Sequence, residues 1–490
     1  MSSTAKMAGF QIPSGKMLID GKWCEAASGK YFDTYNPATG EVLGKVAEGA
    51  EQDIDRAVRA ARKAFEEGPW PQMSATERGK LLYKLAEAIR EHGEELARIE
   101  TLNCGKPISD ARNIDVALVA DCFEYYAGWA NKIHGETVPV SGPFFNYTLR
   151  EPVGVIGQIV AWNFPMLLAA WKLAPALATG NTVVLKPAEQ TPLTALRLGE
   201  LCLEAGFPPG VVNVVPGFGQ TAGAALVAHR DVDKIAFTGE YITGQIIMRE
   251  AAGTLKRLSL ELGGKSPNIV FSDADVDAAV AGSMAGIFWN QGEVCCAGSR
   301  LFLQESIHDQ FVEKLVAQTK KMKVGDPLQP DTQVGALVSS DHFNKVMSYI
   351  KAGKEEGAKL LTGGDQPIKP GYFVSPTVFD GVRDDMKIAR EEIFGPVLSV
   401  IRFRDVDEVV SRANNTFYGL AAAVWTRDVA KAHTLARKLK AGTVWVNTYN
   451  VISSMSPFGG YKMSGFGREL GMHALELYTQ VKSVWVNMAS

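Results

Sequence analysis

Apolar positions recur at helical spacing through the first hundred residues. DIDRAVRAARKAFEEG (53–68) predicts a helix that stops at Gly68. The stretch 74–106 predicts one long amphipathic helix, opened by a capping box of Ser74 and Glu77. Ahead of them, MLIDGKW (17–23) reads as a hairpin turning at Asp20-Gly21. From about residue 145 the texture changes. FNYTLRE (145–151) alternates, and GVIGQIVA becomes almost wholly apolar. TVVLKPAE (182–189), VVNVVPG (211–217) and KIAFTG (234–239) are short apolar runs that end in Pro or Gly, with helical sequence at 192–206, 223–230 and IIMREAA. Continuously apolar strands alternating with helices predict a parallel sheet covered on both faces, with ligands beyond the carboxyl ends of its strands. A second series begins near 265. SPNIVFSDADVDAAVAGSMAGIFWN reads as a strand followed by an Asp-capped helix. RLFLQ, FVSPTVFD, VLSVIRF, GLAAAVWT and GTVWVN follow as strands, with helices at 308–322, 341–357, 406–413 and 428–440. The end segment SVWVNMAS (483–490) alternates like an edge strand, as 145–151 does. Neither has a local partner, so both are candidates to pair across subunits.

Length and composition narrow the classes. A chain of 490 residues is too long for one core, so two or more domains are expected. With 46% hydrophobic and 21% charged residues the composition is that of an ordinary globular protein. The net charge of −3 favours neither nucleic acid nor an anionic membrane surface as a partner. The longest apolar stretch, 166–180, is broken by Lys172 and Pro175, so no membrane span is expected. No secretory h-region is seen in residues 1–16. The six cysteines are scattered and do not make a disulfide framework, which fits a reducing cytoplasm. The seven histidines show no HxH or HExxH spacing and there is no CxxC, so no metal site is expected.

Candidate chemistry concentrates in NQGEVCCAGSR (290–300), which puts Cys295 and Cys296 in a turn-like run between a helix and a strand. A thiolate is a strong nucleophile, and loops on a rigid scaffold tend to carry chemistry. Taken alone, a free cysteine is more often a small buried hydrophobe. The cofactor signals are individually weak. GFGQTAG (217–223) has a Gly-x-Gly start but matches a dinucleotide fingerprint poorly. FTGEYITG (237–244) follows a buried strand and opens a helix, with Gly239 where a phosphate could approach. Lys186 and Glu189 follow a strand, and a carboxylate there can accept from a ribose 2′-OH while repelling a 2′-phosphate.

In combination these residues resemble a known family. AWNFP (161–165), LKPAEQTPLTAL (185–196), AGFPPGVVNVVPG (205–217), FTG (237–239), ELGGKSPNIV (261–270), the Cys-pair loop, EEIFGPV (391–397) and SPFGGYKMSGFGRELG (456–471) are similar, in order, to motifs of the NAD(P)-dependent aldehyde dehydrogenases. Within that family the chain most resembles the tetrameric mitochondrial and cytosolic enzymes. The resemblance implies an α/β fold: a Rossmann-like NAD-binding domain (1–130 and 153–262), a second α/β catalytic domain (263–460) and a small β oligomerisation arm (131–152 and 478–490). It implies oxidation of a small-molecule aldehyde to an acid through a cysteine thiohemiacetal and thioester, with NAD or NADP, in a homo-oligomer (tetramer or dimer). Cys295 corresponds to the nucleophile, Glu261 to the general base and Asn163 to the oxyanion donor. Val160, Ala161, Trp162, Lys186, Glu189, Gly219, Phe237, Gly239, Glu240, Leu262, Glu392 and Phe394 correspond to the cofactor site. Phe164, Leu167, Leu168, Trp171, Trp289, Ile452 and Phe458 correspond to the substrate tunnel.

All seven tunnel positions are apolar and four are aromatic, which favours hydrophobic aliphatic or aromatic aldehydes and disfavours succinic semialdehyde. Aromatic rings also cage quaternary ammonium groups, so betaine aldehyde is the alternative. A non-catalytic structural protein on this fold and a CoA-acylating enzyme are further readings; retention of Glu261 speaks for hydrolysis. Two positions depart from the family pattern. Glu240 stands where Ser is usual, near the expected pyrophosphate, and Glu293 stands where Gln is common, either raising the thiol pKa or facing away.

Overall fold

The computed structural model describes residues 6–7, 10–11 and 15–489. Most of the N-terminal segment 1–16, and Ser490, lie outside the described residues.

The apolar runs form the expected sheets. Five central strands of the first sheet are parallel and lie in the order Arg257–Glu261, Lys234–Thr238, Val155–Ile159, Thr182–Lys186, Val212–Val214. Antiparallel strands flank them: Gly465–Phe466 on one edge, and the hairpin Met17–Ile19/Lys22–Cys24 on the other. Asp20 and Gly21 both have positive φ (53° and 70°), the backbone a two-residue hairpin turn requires. The chain leaves Val155–Ile159 toward one edge and returns on its other side at Lys234–Thr238, which makes a topological switch point there. The second sheet has seven strands: Lys359–Thr362, Thr377–Asp380, Val397–Phe403, Arg300–Gln304, Pro267–Val270, Ala421–Trp425 and Thr443–Val446, parallel except at its first edge.

These sheets are joined directly by the short turn that follows Glu261 and enters Pro267–Val270. The carboxyl ends of the first sheet therefore face the amino ends of the second. Into that cleft project the loops before Arg300 and Val397, which begin neighbouring strands.

Two expectations need correction. The long helix expected over 74–106 is two helices, Ala75–Glu91 and Gly93–Cys104, broken at His92 (φ −93°, ψ 16°). The capping box is formed: Ser74 N donates to Glu77 Oε2 at 2.8 Å, and Glu77 N donates to Ser74 Oγ at 3.3 Å. The break is fixed by side chains, since His92 Nδ1 lies 2.9 Å from Glu95 and 3.2 Å from Arg197 Nη2. The two strands without a local partner, expected to pair across subunits, pair with each other within the chain. Phe144–Pro152 and Thr479–Asn487 pair antiparallel over their full length, with Thr137–Val138 completing a three-stranded sheet. Their separation in sequence hid the match.

The apolar stretch at 166–180 becomes the helix Pro165–Ala178, with every residue buried. Among the described residues, no helix is long and apolar enough to cross a membrane.

Candidate active site

The cysteine loop is held in a costly conformation. Asn290 (φ 49°), Gln291 (φ 45°) and Gly292 (φ 75°) occupy the left-handed region in succession. Such a run persists only where the surroundings over-determine it. Asn290 Nδ2 donates to the carbonyls of Asn163 and Glu293, both at 3.1 Å, and Gln291 Nε2 donates to Glu293 Oε2 at 3.1 Å. Glycine is required at 292, because a Cβ there would stand 2.3 Å from the Gly395 backbone.

This loop delivers Cys295 half-buried into a cavity of about 1320 Å³, which Glu261, Asn163, Glu392 and Phe394 also line. Glu261 ends its strand and is 5% exposed, and neither carboxylate oxygen has a hydrogen-bond partner. Burial, and then the nearby Glu469 charge, hold its carboxyl well above the usual range, with Lys172 opposing. Lys172, the one charge on its helix, is itself buried, paired with Glu469 and donating to Thr238 Oγ1 at 2.6 Å. The Cys295 thiol is also held up, first by its contact with Cys296 and then by burial. The two glycines after Glu261 leave room for the neighbours. A Cβ on Gly263 would stand 2.1 Å from Glu392 Oε2, and one on Gly264 would stand 2.5 Å from the Cys295 carbonyl oxygen.

Asn163 follows the strand at the switch point and is buried. One hydrogen of its Nδ2 is donated to the Glu293 carbonyl at 2.9 Å, which leaves the second for another acceptor. The seven tunnel positions all line the same cavity. Phe164 packs on Trp289 with ring centroids 5.2 Å apart, and Trp171 packs on Phe458 at 5.5 Å.

The cofactor positions divide. Ala161, Trp162, Gly239, Glu240, Leu262, Glu392 and Phe394 line the cavity. Val160, Lys186, Glu189, Gly219 and Phe237 are not among its lining residues; they occupy the first sheet's carboxyl-end loops and strand ends. The residues present fit a dinucleotide. Lys186 Nζ and Glu189 Oε2 pair at 3.0 Å beside the switch point, giving vicinal hydroxyls both a donor and an acceptor. Gly219 has open space where a Cβ would be. Glu392 is half-buried, and its Oε1 accepts from Gly264 N at 2.8 Å.

Both departures from the family pattern take definite positions. Glu240 is exposed, N-caps the helix Tyr241–Ala251 without a side-chain cap bond, and lines the cavity. Glu293 is buried and turns from the thiol: Oε1 accepts from Val338 N at 3.0 Å and Oε2 faces Gln291. The sequence reading assigned no role to Lys172, Glu469 or His342. A lone Lys in an otherwise apolar helix was the available signal for the first, since a buried charge needs a partner.

Comparison with known proteins agrees with this geometry. Residues 23–484 match the Aldehyde dehydrogenase family. The chain is 56% identical over 480 residues to the mitochondrial aldehyde dehydrogenase of Homo sapiens, covering 98% of this chain and 93% of that one. It superposes on the NAD+ complex of an aldehyde dehydrogenase from Bacillus cereus with a TM-score of 0.95, 54% identity and 96% coverage of each chain. An indole-3-acetaldehyde dehydrogenase from P. syringae, a cysteine-to-alanine mutant bound to NAD+ and IAA, gives a TM-score of 0.96 at 46% identity, covering 97% of each. The chain belongs to the aldehyde dehydrogenase family, and with it to the enzymes that oxidise aldehydes with NAD(P).

Proposed function

We propose that Cys295 is the nucleophile and Glu261 the base of a two-stage oxidation. What carries the reading is Glu261: a buried carboxylate without a hydrogen-bond partner, in the cavity that Cys295 enters. The Cys295 thiol gives its proton to Glu261, and Sγ bonds to the aldehyde carbon. The carbonyl π electrons move to oxygen, where the free Asn163 Nδ2 hydrogen and the Cys295 backbone N–H meet them. Glu392 and Phe394 would hold a nicotinamide ring, and a bound dinucleotide would supply the acceptor for the hydride this carbon loses. A thioester on Cys295 remains. With its proton released, Glu261 draws one from water, whose oxygen bonds to the thioester carbon as the C–S bond breaks. The acid departs and Sγ is restored.

The tunnel rings and leucines support hydrophobic aliphatic or aromatic aldehydes as substrates, and the ring pairs keep betaine aldehyde as the second reading. We divide the chain into an NAD-binding domain (1–130 and 153–262), a catalytic domain (263–460) and an oligomerisation arm (131–152 and 478–490). The three-stranded sheet supports a homo-oligomer, because it exposes Phe144, Phe145, Leu149, Val481 and Trp485.

The test is intact mass of the wild-type protein, acid-quenched within its first turnover with NAD+ and hexanal. An acyl adduct mapped to Cys295 is expected, and its loss in Cys295→Ser. An adduct on another residue, or full turnover by Cys295→Ser, overturns the proposal.

A further inference from the structure

The cofactor wall and the nucleophile are carried by separate loops, and a closed chain of contacts binds one to the other. Glu293 stands two residues before Cys295. Its Oε1 accepts from Val338 N at 3.0 Å. Val338 leads into the helix Ser340–Glu355, whose first turn is fixed by Ser339 Oγ accepting from His342 N at 3.2 Å. His342 is buried, and its Nε2 lies 2.6 Å from the carbonyl oxygen of Phe394. That carbonyl can only accept, so Nε2 carries the hydrogen. Phe394 itself has φ 62°, a backbone rarely adopted by a bulky residue. The circuit returns through Trp162, whose ring lies 4.9 Å from His342 and 5.2 Å from Phe394. Next to Trp162, Asn163 donates to the Glu293 carbonyl. Gly292 lies directly against Gly395.

We infer that Glu293 and His342 are positioning residues: the contact chain Glu293–Val338–His342–Phe394 locks the Phe394 ring in register with Cys295. Neither side chain touches reacting atoms. Their role is to hold the hydride acceptor's wall at a fixed distance from the sulfur, where small misplacements are costly. The otherwise unexplained Glu293 becomes the anchor of this lock, and the strained Phe394 backbone is its payload.

The inference rests on Cys295 as nucleophile, so the test separates the two. Ester cleavage needs the sulfur and the base but no hydride acceptor. In wild type, His342→Leu, His342→Gln and Glu293→Leu, dehydrogenation of hexanal is measured beside NAD-independent hydrolysis of p-nitrophenyl acetate. His342→Leu is expected to lower the ratio of dehydrogenase kcat to esterase kcat at least tenfold. His342→Gln, whose amide can still donate to the Phe394 carbonyl, is expected to recover most of it. Glu293→Leu removes the carboxylate that holds Val338 N and lies 3.6 Å from His342 Nε2, and is expected to reproduce the tenfold loss, so the result does not depend on one variant folding. Equal loss of both activities, or no change in their ratio, overturns the inference. Cys295→Ala is the control: if it hydrolyses the ester like wild type, the nucleophile assignment has failed, whatever the ratios.

Discussion

Gly264 lies directly against Cys295: a Cβ added to it would lie 2.5 Å from the Cys295 carbonyl oxygen and 3.2 Å from Leu420 Cβ. Neither neighbour is the free end of a flexible side chain. Gly264→Ala must therefore push the cysteine loop out of place. A displacement near 1 Å costs about 100-fold in rate, so kcat is expected to fall by at least that factor. Near-normal turnover would show that the loop tolerates the shift.

Our proposal that the protein selects NAD over NADP rests on Glu189. Its carboxylate, paired with Lys186 at 3.0 Å, would repel a 2′-phosphate. Glu189→Gln removes that charge and frees the lysine. The NADP/NAD ratio of kcat/KM is expected to rise at least tenfold, read from initial rates with both cofactors. An unchanged ratio places selection elsewhere.

Glu293 gives a pH signature in stability. Burial raises its carboxyl from an ordinary 4.5 to about 8 in the fold. A group with a raised folded pKa stabilises fully below its unfolded pKa, and that contribution is lost as pH rises through about 8. The size is a few kcal/mol at most. Wild type should therefore lose thermal stability relative to Glu293→Gln between pH 5 and pH 9. Parallel melting curves for the two across that range would contradict it.

The proposed substrate preference rests on four rings. Phe164 with Trp289, and Trp171 with Phe458, make an apolar passage, and Asp110 with Asp331 adds carboxylates to the same cavity. Hexanal and benzaldehyde are expected to exceed succinic semialdehyde at least tenfold in kcat/KM. Betaine aldehyde is expected below them; a betaine aldehyde optimum would make the ring pairs an ammonium cage instead.

The sheets, the cysteine loop and the apolar tunnel were legible because each depends on local pattern or on a motif. Residues 182–186 are a strand in any context, being apolar and bounded by Pro187. What escaped depends on distant partners. His92 interrupts a good helical pattern because Arg197, far along the chain, holds its ring. Lys172 reads in sequence only as an interruption of an apolar run, because its partner Glu469 lies far along the chain. His342 carries no motif, and its importance comes only from the Phe394 carbonyl that folding brings to it. Glu293 was recognised as unusual, but two orientations were open until Val338 N was found against it.

The pairing of Phe144–Pro152 with Thr479–Asn487 has a consequence for biosynthesis. During translation the earlier strand emerges hundreds of residues ahead of its mate, with half its backbone groups bare. It stays adhesive until position 487 clears the ribosome. Nascent chains on one polysome therefore carry exposed templates at the same time, and premature stop codons between the two strands would release products prone to clump rather than merely inactive ones.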